Sequence, residues 1–523
     1  MAERIESRIV GRAVDYLLHP PTGADPVIEF LSPGELVAAF SRSIGLPLAD
    51  RVEAHSIDDV TAAVDLIIRH SVHTSHPRFL NQNFAGPDPV SVVGDWLGAA
   101  LNTTGATFEA APVFTLMESA VLDKLARLAG YPVDHGLAGP VDRAADGGAG
   151  SVPTVPPGLF CPGGSTATLY ALQLARHRHQ PDIVTRGAGA DRLVLFVSEA
   201  GHYAATKSAA LLGLGTEAVV KVETDCDGAM VAAALELEIE RARSDGRVPL
   251  AVIGTAGTTV TSAFDDLNAL ADVCEANDLW LHVDGCYGGS ALFSDSHAHL
   301  LDGVDRSDSL VWNLHKMMGM TQQCTALLVR DPSRLAPCFA ASADYLFQPD
   351  KQHGEYDSGD RTFQCARRID VLKLWLTWKV RGDRGFSDRI DHAVAMADHA
   401  RSVIAASDGV FAPVVAGTFS NVVFTWVPPE LRPLDLGPGN ISTVAADVLA
   451  ELHRLPPLIK ARMQQAGTAM VGFQPVGGIN TFRLIFMNPA VTSADVEAVL
   501  ARIDQYGTDA WNDRAGAESA GQS

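Results

Sequence analysis

The chain has 523 residues, 47% of them hydrophobic and 20% charged, enough for more than one globular domain with a substantial core. A formal net charge of −22 argues against nucleic acid as a partner, although a few local arginines can still receive an acidic small molecule. No apolar run reaches membrane-spanning length, no basic-then-apolar leader is present, and seven cysteines without metal-ligand spacing point to reduced thiols in a cytoplasmic protein with no metal.

Residues 1 to about 28 carry little pattern and are expected to be poorly ordered. Ser32-Pro-Gly-Glu then opens a helix, with Ser32 as N-cap, Pro33 in the first turn and Glu35 completing a capping box; Leu36, Val37, Phe40 and Ile44 supply its apolar face. A second helix over 58–70 should bury Val60, Val64, Leu66 and Ile67. The stretch 76–86 mixes polar and aromatic residues without a period, and such loops carry function more often than core. A helix over 116–128 follows, and then 132–158, rich in Gly, Ala, Asp and Pro, reads as a flexible excursion.

From 160 to about 330 the pattern alternates between strands (192–198, 218–222, 249–254, 279–284, 309–312, 324–330) and helices (165–177, 203–212, 227–243, 265–277). Alternation with near-continuous apolar strands predicts an α/β fold, a parallel-rich sheet covered on both faces, whose carboxyl edge is the binding edge. Several motifs fall at that edge. Gly164, Ser165 and Thr166, in Cys-Pro-Gly-Gly-Ser-Thr, offer N–H groups, hydroxyls and a helix dipole to a phosphate, although a plain helix cap looks the same. His202 follows the strand 193–197, where a lone histidine can also be structural. Asp284 ends Leu-His-Val-Asp and needs a cationic partner if buried; alone it could equally cap a helix or pair with an arginine. His315 and Lys316 follow the apolar run 310–312, where burial favours a neutral, nucleophilic amine; an isolated pair of this kind reads as surface. A lysine amine, a carboxylate for a protonated ring nitrogen and a phosphate turn are together the parts of a pyridoxal phosphate site.

The segment 338–362 reads as a long aromatic-bearing loop of the kind that forms lids, followed by a helix near 366–380. A smaller domain then has strands at 423–427 and 481–486 and helices at 442–453 and 493–506. Arg483 has apolar neighbours on both sides, so its charge should meet a cleft or a carboxylate. The resulting division is a helical segment 1–90, a large domain 91–380 holding the excursion at about 133–158 and the loop at about 338–362, a small domain 381–510 and a disordered tail 511–523.

The order of these parts resembles the group II amino-acid decarboxylases of pyridoxal-phosphate fold type I, in the glutamate and cysteine sulfinate decarboxylase branch. The resemblance rests on His76-Pro-Arg-Phe-Leu-Asn-Gln, Phe108-Glu-Ala-Ala-Pro-Val-Phe, Lys316-Met-Met-Gly, Gln323-Cys, Tyr345-Leu-Phe-Gln-Pro-Asp-Lys-Gln and Met470-Val-Gly-Phe-Gln-Pro, spread over about residues 34 to 508. It implies the fold-type I PLP-dependent transferase fold, with a large mostly parallel sheet domain, a smaller C-terminal α/β domain and an N-terminal helical segment that packs across a partner copy. A homodimer with active sites near the subunit interface follows. It further implies pyridoxal 5'-phosphate on Lys316, Asp284 at the ring nitrogen and His202 on the ring. Gly164, Ser165 and Thr166 hold the phosphate, helped by Asn313 or His315, and Thr259 contacts ring substituents. Tyr345 returns a proton to the carbon that loses carbon dioxide, and Gln82 and Arg483 hold a substrate carboxylate.

The implied reaction converts an acidic L-amino acid (glutamate, aspartate or cysteine sulfinate) to its amine and carbon dioxide. Phe84 stands where glutamate-specific relatives have a small hydroxyl residue and points to a shorter substrate, whereas Gly105-Ala106 opens space; Asn83 and Leu314 also depart from the pattern. Alternatives on the same fold are decarboxylation of another amino acid such as 2,4-diaminobutyrate, an aminotransferase, or a decarboxylation-dependent oxidase, the last turning on a loop residue such as Tyr345.

Overall fold

The computed structural model describes residues 5–48, 54–133, 155–341, 343 and 350–521. The excursion expected at 133–158 falls mostly outside the described residues, as do Tyr345 and most of its neighbours. The chain divides into two compact units, one formed by Met1–Pro89, Ala393–Ala416 and Ser420–Ser523, the other by Val90–His392 with Gly417–Phe419.

In chain order the elements begin with α1 (Ile5–Leu18), α2 (Pro33–Ser41), α3 (Ile57–His70), β1 (Phe79–Leu80), α4 (Pro89–Leu101) and α5 (Pro112–Leu128). They continue with β2 (Gly158–Cys161), α6 (Gly164–His179), α7 (Ile183–Arg186), β3 (Leu193–Ser198), α8 (Ala204–Leu211), β4 (Val219–Val222), α9 (Ala232–Ser244), β5 (Val248–Thr255), α10 (Leu267–Asn277) and β6 (Trp280–Asp284). After β7 (Ser309–Asn313), β8 (Thr325–Val329), α11 (Leu335–Phe339) and α12 (Val371–Ala405) come β9 (Phe411–Pro413), β10 (Asn421–Trp426), α13 (Ala446–Gln465), β11 (Met470–Val476), β12 (Ile479–Ile485) and α14 (Ser493–Gly521).

The central unit is built on a seven-stranded sheet of order β2-β8-β7-β6-β5-β3-β4. Strands β3 to β7 pair in parallel, and β8 runs antiparallel between β7 and β2. The sheet is thus the parallel-rich one that the apolar strands predict, with one reversed strand that an apolar run cannot distinguish. One face is covered by α6, which buries Ala167, Tyr170, Ala171 and Leu174 against Leu195, Ile253 and Leu327; Leu235, Ile239 and Leu270 cover the other. Because β3, β5, β6, β7 and β2 all point one way, their carboxyl ends share a single edge. The order turns around at β3, whose neighbours β4 and β5 lie on opposite sides, and such switch points open a ligand crevice.

The other unit holds a five-stranded sheet of order β1-β11-β12-β10-β9, antiparallel except for the β1–β11 pair. Helix α2 starts as its sequence predicts: Ser32 accepts from the Glu35 N–H, and the Glu35 carboxylate accepts from Ser32 in return.

Four expectations are corrected. Residues 5–18 form a helix, where no order was expected: Ile9, Val10, Ala13, Val14 and Leu17 recur at helical spacing, although none of the helix's residues is fully buried within the chain. Val37 and Ile67, expected to be buried, are exposed. Helix α13 starts later than expected and runs through Pro456 and Pro457, because Leu452, Leu455, Ile459 and Met463 form one buried stripe. Their burial offsets the roughly 3 kcal/mol that an internal proline costs. Finally, α14 extends to Gly521 across the stretch read as a tail, helped by an Arg462–Asp513 ion pair of 2.7 Å.

Candidate active site

The carboxyl edge of the central sheet gathers the chemistry-bearing residues of that unit. Asp284 is the last residue of β6 and pairs in register with Val311 of β7, two positions before Asn313 and five before Lys316. The residue is 9% exposed, and its carboxylate accepts from the Cys286 N–H at 3.1 Å. Burial pushes the carboxyl upward, but the charge of Lys316, the Cys286 hydrogen bonds and His202 outweigh it, so the net direction is below the ordinary carboxylate range. Asp284 is therefore an anion inside the protein. His202 lies four residues beyond β3, and its Nδ1 accepts from the Ala204 N–H at 3.2 Å. Burial lowers its pKa against the pull of Asp284, and Lys316 and Lys207 lower it further, so the ring is neutral.

The phosphate turn is set by strand register. Cys161, Thr325 and Asn313 lie side by side at the ends of β2, β8 and β7, and the Thr325 hydroxyl donates to Asn313 Oδ1 at 2.8 Å. The chain leaves β2 through Gly163, whose φ of +97° suits glycine, and enters α6 at Gly164. A Cβ on Gly164 would lie 2.4 Å from Cys286 Sγ and 3.0 Å from Asn313 Nδ2, so glycine keeps this helix start open. Ser165 is exposed, and the Thr166 hydroxyl donates to the Pro162 carbonyl at 3.3 Å. His315 turns its Nδ1 to the backbone of Cys324, 2.9 Å from its carbonyl oxygen, and burial pushes its pKa down to about 4. Asn313, one of the two residues expected to assist the phosphate turn, has its side-chain amide 3.0 and 3.2 Å from that Cβ position on Gly164. Thr259 sits in the turn between the bridged residues Ala256 and Phe264, just past β5.

These residues fit pyridoxal phosphate. The start of a 16-residue helix with glycine and hydroxyls suits a phosphate, the buried ionised Asp284 suits a protonated ring nitrogen, and Lys316 supplies the amine.

The expected substrate residues belong to the unit formed by the chain ends. Arg483 on β12 is 5% exposed and donates from Nη2 to the Asn81 carbonyl at 3.1 Å. Gln82 is exposed. The Phe84 ring lies 5.7 Å from that of Phe79 and packs on the cluster Val27, Phe79 and Met470, so it has a packing duty besides any contact with a ligand. Two contacts near these residues had no sequence signal. Cys286 lies against Gly164 only because β6 and α6 meet, and Lys460 donates to Asn81 Oδ1 at 3.2 Å across 379 residues of chain.

The pyridoxal-dependent decarboxylase conserved domain matches residues 41–427. Cysteine sulfinic acid decarboxylase of Rattus norvegicus is 40% identical over 506 residues, 96% of this chain and 95% of that one. Acidic amino acid decarboxylase GADL1 of Bos taurus is 40% identical over 489 residues, 93% and 87% of the two chains. The crystal structure of mouse CSAD superposes with a TM-score of 0.86 at 39% identity, covering 97% of this chain and 98% of that one. The buried Asp284 beside Lys316 and the glycine-opened helix start thus stand within a fold shared over nearly the whole chain, and the protein belongs to the pyridoxal-dependent decarboxylase family.

Proposed function

We propose that the protein releases carbon dioxide from an acidic L-amino acid (glutamate, aspartate or cysteine sulfinate) and leaves the amine. The observation that carries this reading is Asp284, held ionised inside the protein at the strand end next to that of Lys316. When bound, pyridoxal phosphate supplies an electron sink for the pair released as carbon dioxide departs. The residues do the rest. Lys316 would offer the amine that anchors the cofactor. Asp284 holds a proton on the ring nitrogen, and neutral His202 offers a flat uncharged face to the ring. Gly164, Ser165 and Thr166 with Asn313 take the phosphate, and Thr259 is assigned to the ring substituents. Tyr345 is assigned the return of a proton to the carbon. Arg483 and Gln82 are assigned to substrate acid, and the names of the relatives, which act on cysteine sulfinic acid or acidic amino acids, support that class.

A cytoplasmic homodimer completes the reading. All seven cysteines are free thiols, as in a reducing compartment. Among the described residues no helix is long and apolar enough to cross a membrane. Val93, Trp96, Leu97 and Leu101 of α4 are exposed, as are Ile9 and Val10 of α1 and Ile67 of α3; apolar stripes of this kind support a second copy as their cover.

The test offers cofactor-loaded protein glutamate, aspartate, cysteine sulfinate and 2,4-diaminobutyrate in turn, recording carbon dioxide and oxygen. Carbon dioxide from an acidic substrate without oxygen uptake is expected, and Lys316→Ala should lose both this release and the absorbance of the lysine-linked cofactor. Release from none of the acidic substrates, or retention of either signal in Lys316→Ala, overturns the reading.

A further inference from the structure

The amino edge of the central sheet, opposite the edge that gathers the candidate active site, collects three arginines. Arg192 and Arg247 immediately precede β3 and β5, and Leu193 pairs in parallel register with Val248, so the two arginines are neighbours; the Val248 N–H donates to the Arg192 carbonyl at 3.0 Å. Arg176 joins them from the last turn of α6, about 18 Å along that helix from Gly164. All three line one cleft of 650 Å³, a size at which small molecules bind.

Burial separates the charges in this cleft. Arg176 is 7% exposed; its Nη1 donates to Gln173 Oε1 at 3.1 Å, its Nε has no acceptor, and among the described residues no carboxylate pairs with it. Burial pushes its pKa down, yet a guanidinium keeps its charge at neutral pH. The Nε of Arg247 is also buried without an acceptor, and Asp245 lies 3.9 Å from its Nη2, beyond hydrogen-bond length. A buried cation without a counter-charge is costly, and an anion beside it offsets that cost. The acids that line the cleft, Asp191, Glu217 and Asp245, are all exposed, and Asp191 already meets His179 Nε2 at 3.1 Å. Water and salt screen them, so they do not cancel the more buried cations, and their oxygens are free to accept from hydroxyl groups.

We propose that this cleft binds a small phosphomonoester on a hydroxyl-bearing frame, a sugar phosphate or a nucleotide, with its phosphate on Arg176, Arg192 and Arg247 and its hydroxyls donating to the exposed acids. Guanidinium groups meet phosphate through paired N–H donors, and three of them suit a dianion. The site lies at the sheet edge away from Asp284 and Lys316 and does not depend on the reaction proposed above.

The experiment titrates cofactor-loaded protein with glycerol 3-phosphate, AMP and inorganic phosphate by calorimetry, on wild type, Arg176→Met and Arg247→Gln, beside thermal melts of each. Loading with pyridoxal phosphate first fills the phosphate turn assigned above. At least one ester should bind wild type more tightly than inorganic phosphate and raise its melting temperature; glycerol 3-phosphate in that role identifies a sugar-phosphate frame, AMP a nucleotide. Each variant should weaken that ester by about tenfold or more and lose the rise in melting temperature. Should Arg176→Met fail to fold, Arg247→Gln decides alone. Binding of neither ester by wild type, or ester affinity within about twofold of wild type in every variant that folds, overturns the site. Inorganic phosphate bound as tightly as both esters overturns the part given to the acids and with it the choice of ligand.

Discussion

Gly164→Ala probes the phosphate turn directly. The added methyl would sit 2.4 Å from Cys286 Sγ and 3.0 and 3.2 Å from the two amide atoms of Asn313, so the start of α6, the thiol or the amide must shift. Forcing one methyl into a close-packed site costs about 1–3 kcal/mol. If the displaced atoms are those that receive the phosphate, the dissociation constant of pyridoxal phosphate should rise roughly 5- to 150-fold. The thiol is the tightest contact, so Gly164→Ala with Cys286→Ala should recover most of the loss; the amide contacts that remain belong to a side chain able to give by a few tenths of an ångström. The assay titrates apo-protein with pyridoxal phosphate by absorbance, beside thermal melts of each variant. Affinity within about twofold of wild type in Gly164→Ala would show that this turn does not hold the phosphate. A loss that Cys286→Ala leaves untouched would show that the contact with the thiol is not its cause.

Other expectations concern stability and assembly. His282 is fully buried with Nδ1 2.9 Å from Ser309 Oγ, and burial pushes its pKa down to about 4. The unfolded chain takes up this proton near pH 6.5 and the folded one refuses it until about pH 4, so stability present above pH 6.5 is lost as pH falls through that window. His282→Leu should therefore reduce the drop in unfolding free energy between pH 7 and pH 5 by about 2 kcal/mol, measured by urea denaturation. The Arg367 side chain is 2% exposed, pairs with Glu118 at 2.5 Å and donates to the Gly105 carbonyl at 3.0 Å. Arg367→Met leaves a nearly buried carboxylate without its cation and should destabilise the fold by about 3–5 kcal/mol, with partial recovery in the double variant with Glu118→Gln; equal denaturation midpoints for wild type and Arg367→Met would contradict this. Trp96→Glu with Leu97→Glu, on the exposed face of α4, should convert the proposed homodimer into monomers by light scattering while leaving the far-ultraviolet dichroism unchanged; an unsubstituted protein that is already monomeric would refute the homodimer proposal.

Much of this protein is legible in local sequence because its signals are local. The capping box at Ser32 and Glu35 works within one turn, and strands buried on both faces must be apolar at nearly every position, so β3, β5, β6 and β7 stand out. Once those strands are parallel, the residues that follow each one must meet at a common edge, which is why His202, Thr259, Asp284 and Lys316 could be suspected of sharing a site before any coordinates. The tertiary structure decided what depends on distant partners. Helix α1 is amphipathic but only partly buried, and the contact of Tyr16 with His73, 57 residues away, is one that no local pattern encodes. Lys460 lies beyond two prolines that locally argue for a helix end, and only the packed stripe on α13 carries the helix through to bring it to Asn81. Cys286 closes on Gly164 because two elements cross in space, a distance of 2.4 Å from the absent methyl that no spacing along the chain encodes. Sequence determines which groups each strand end and helix start presents; the packing of remote segments determines which of them share an anion, a proton or an empty volume.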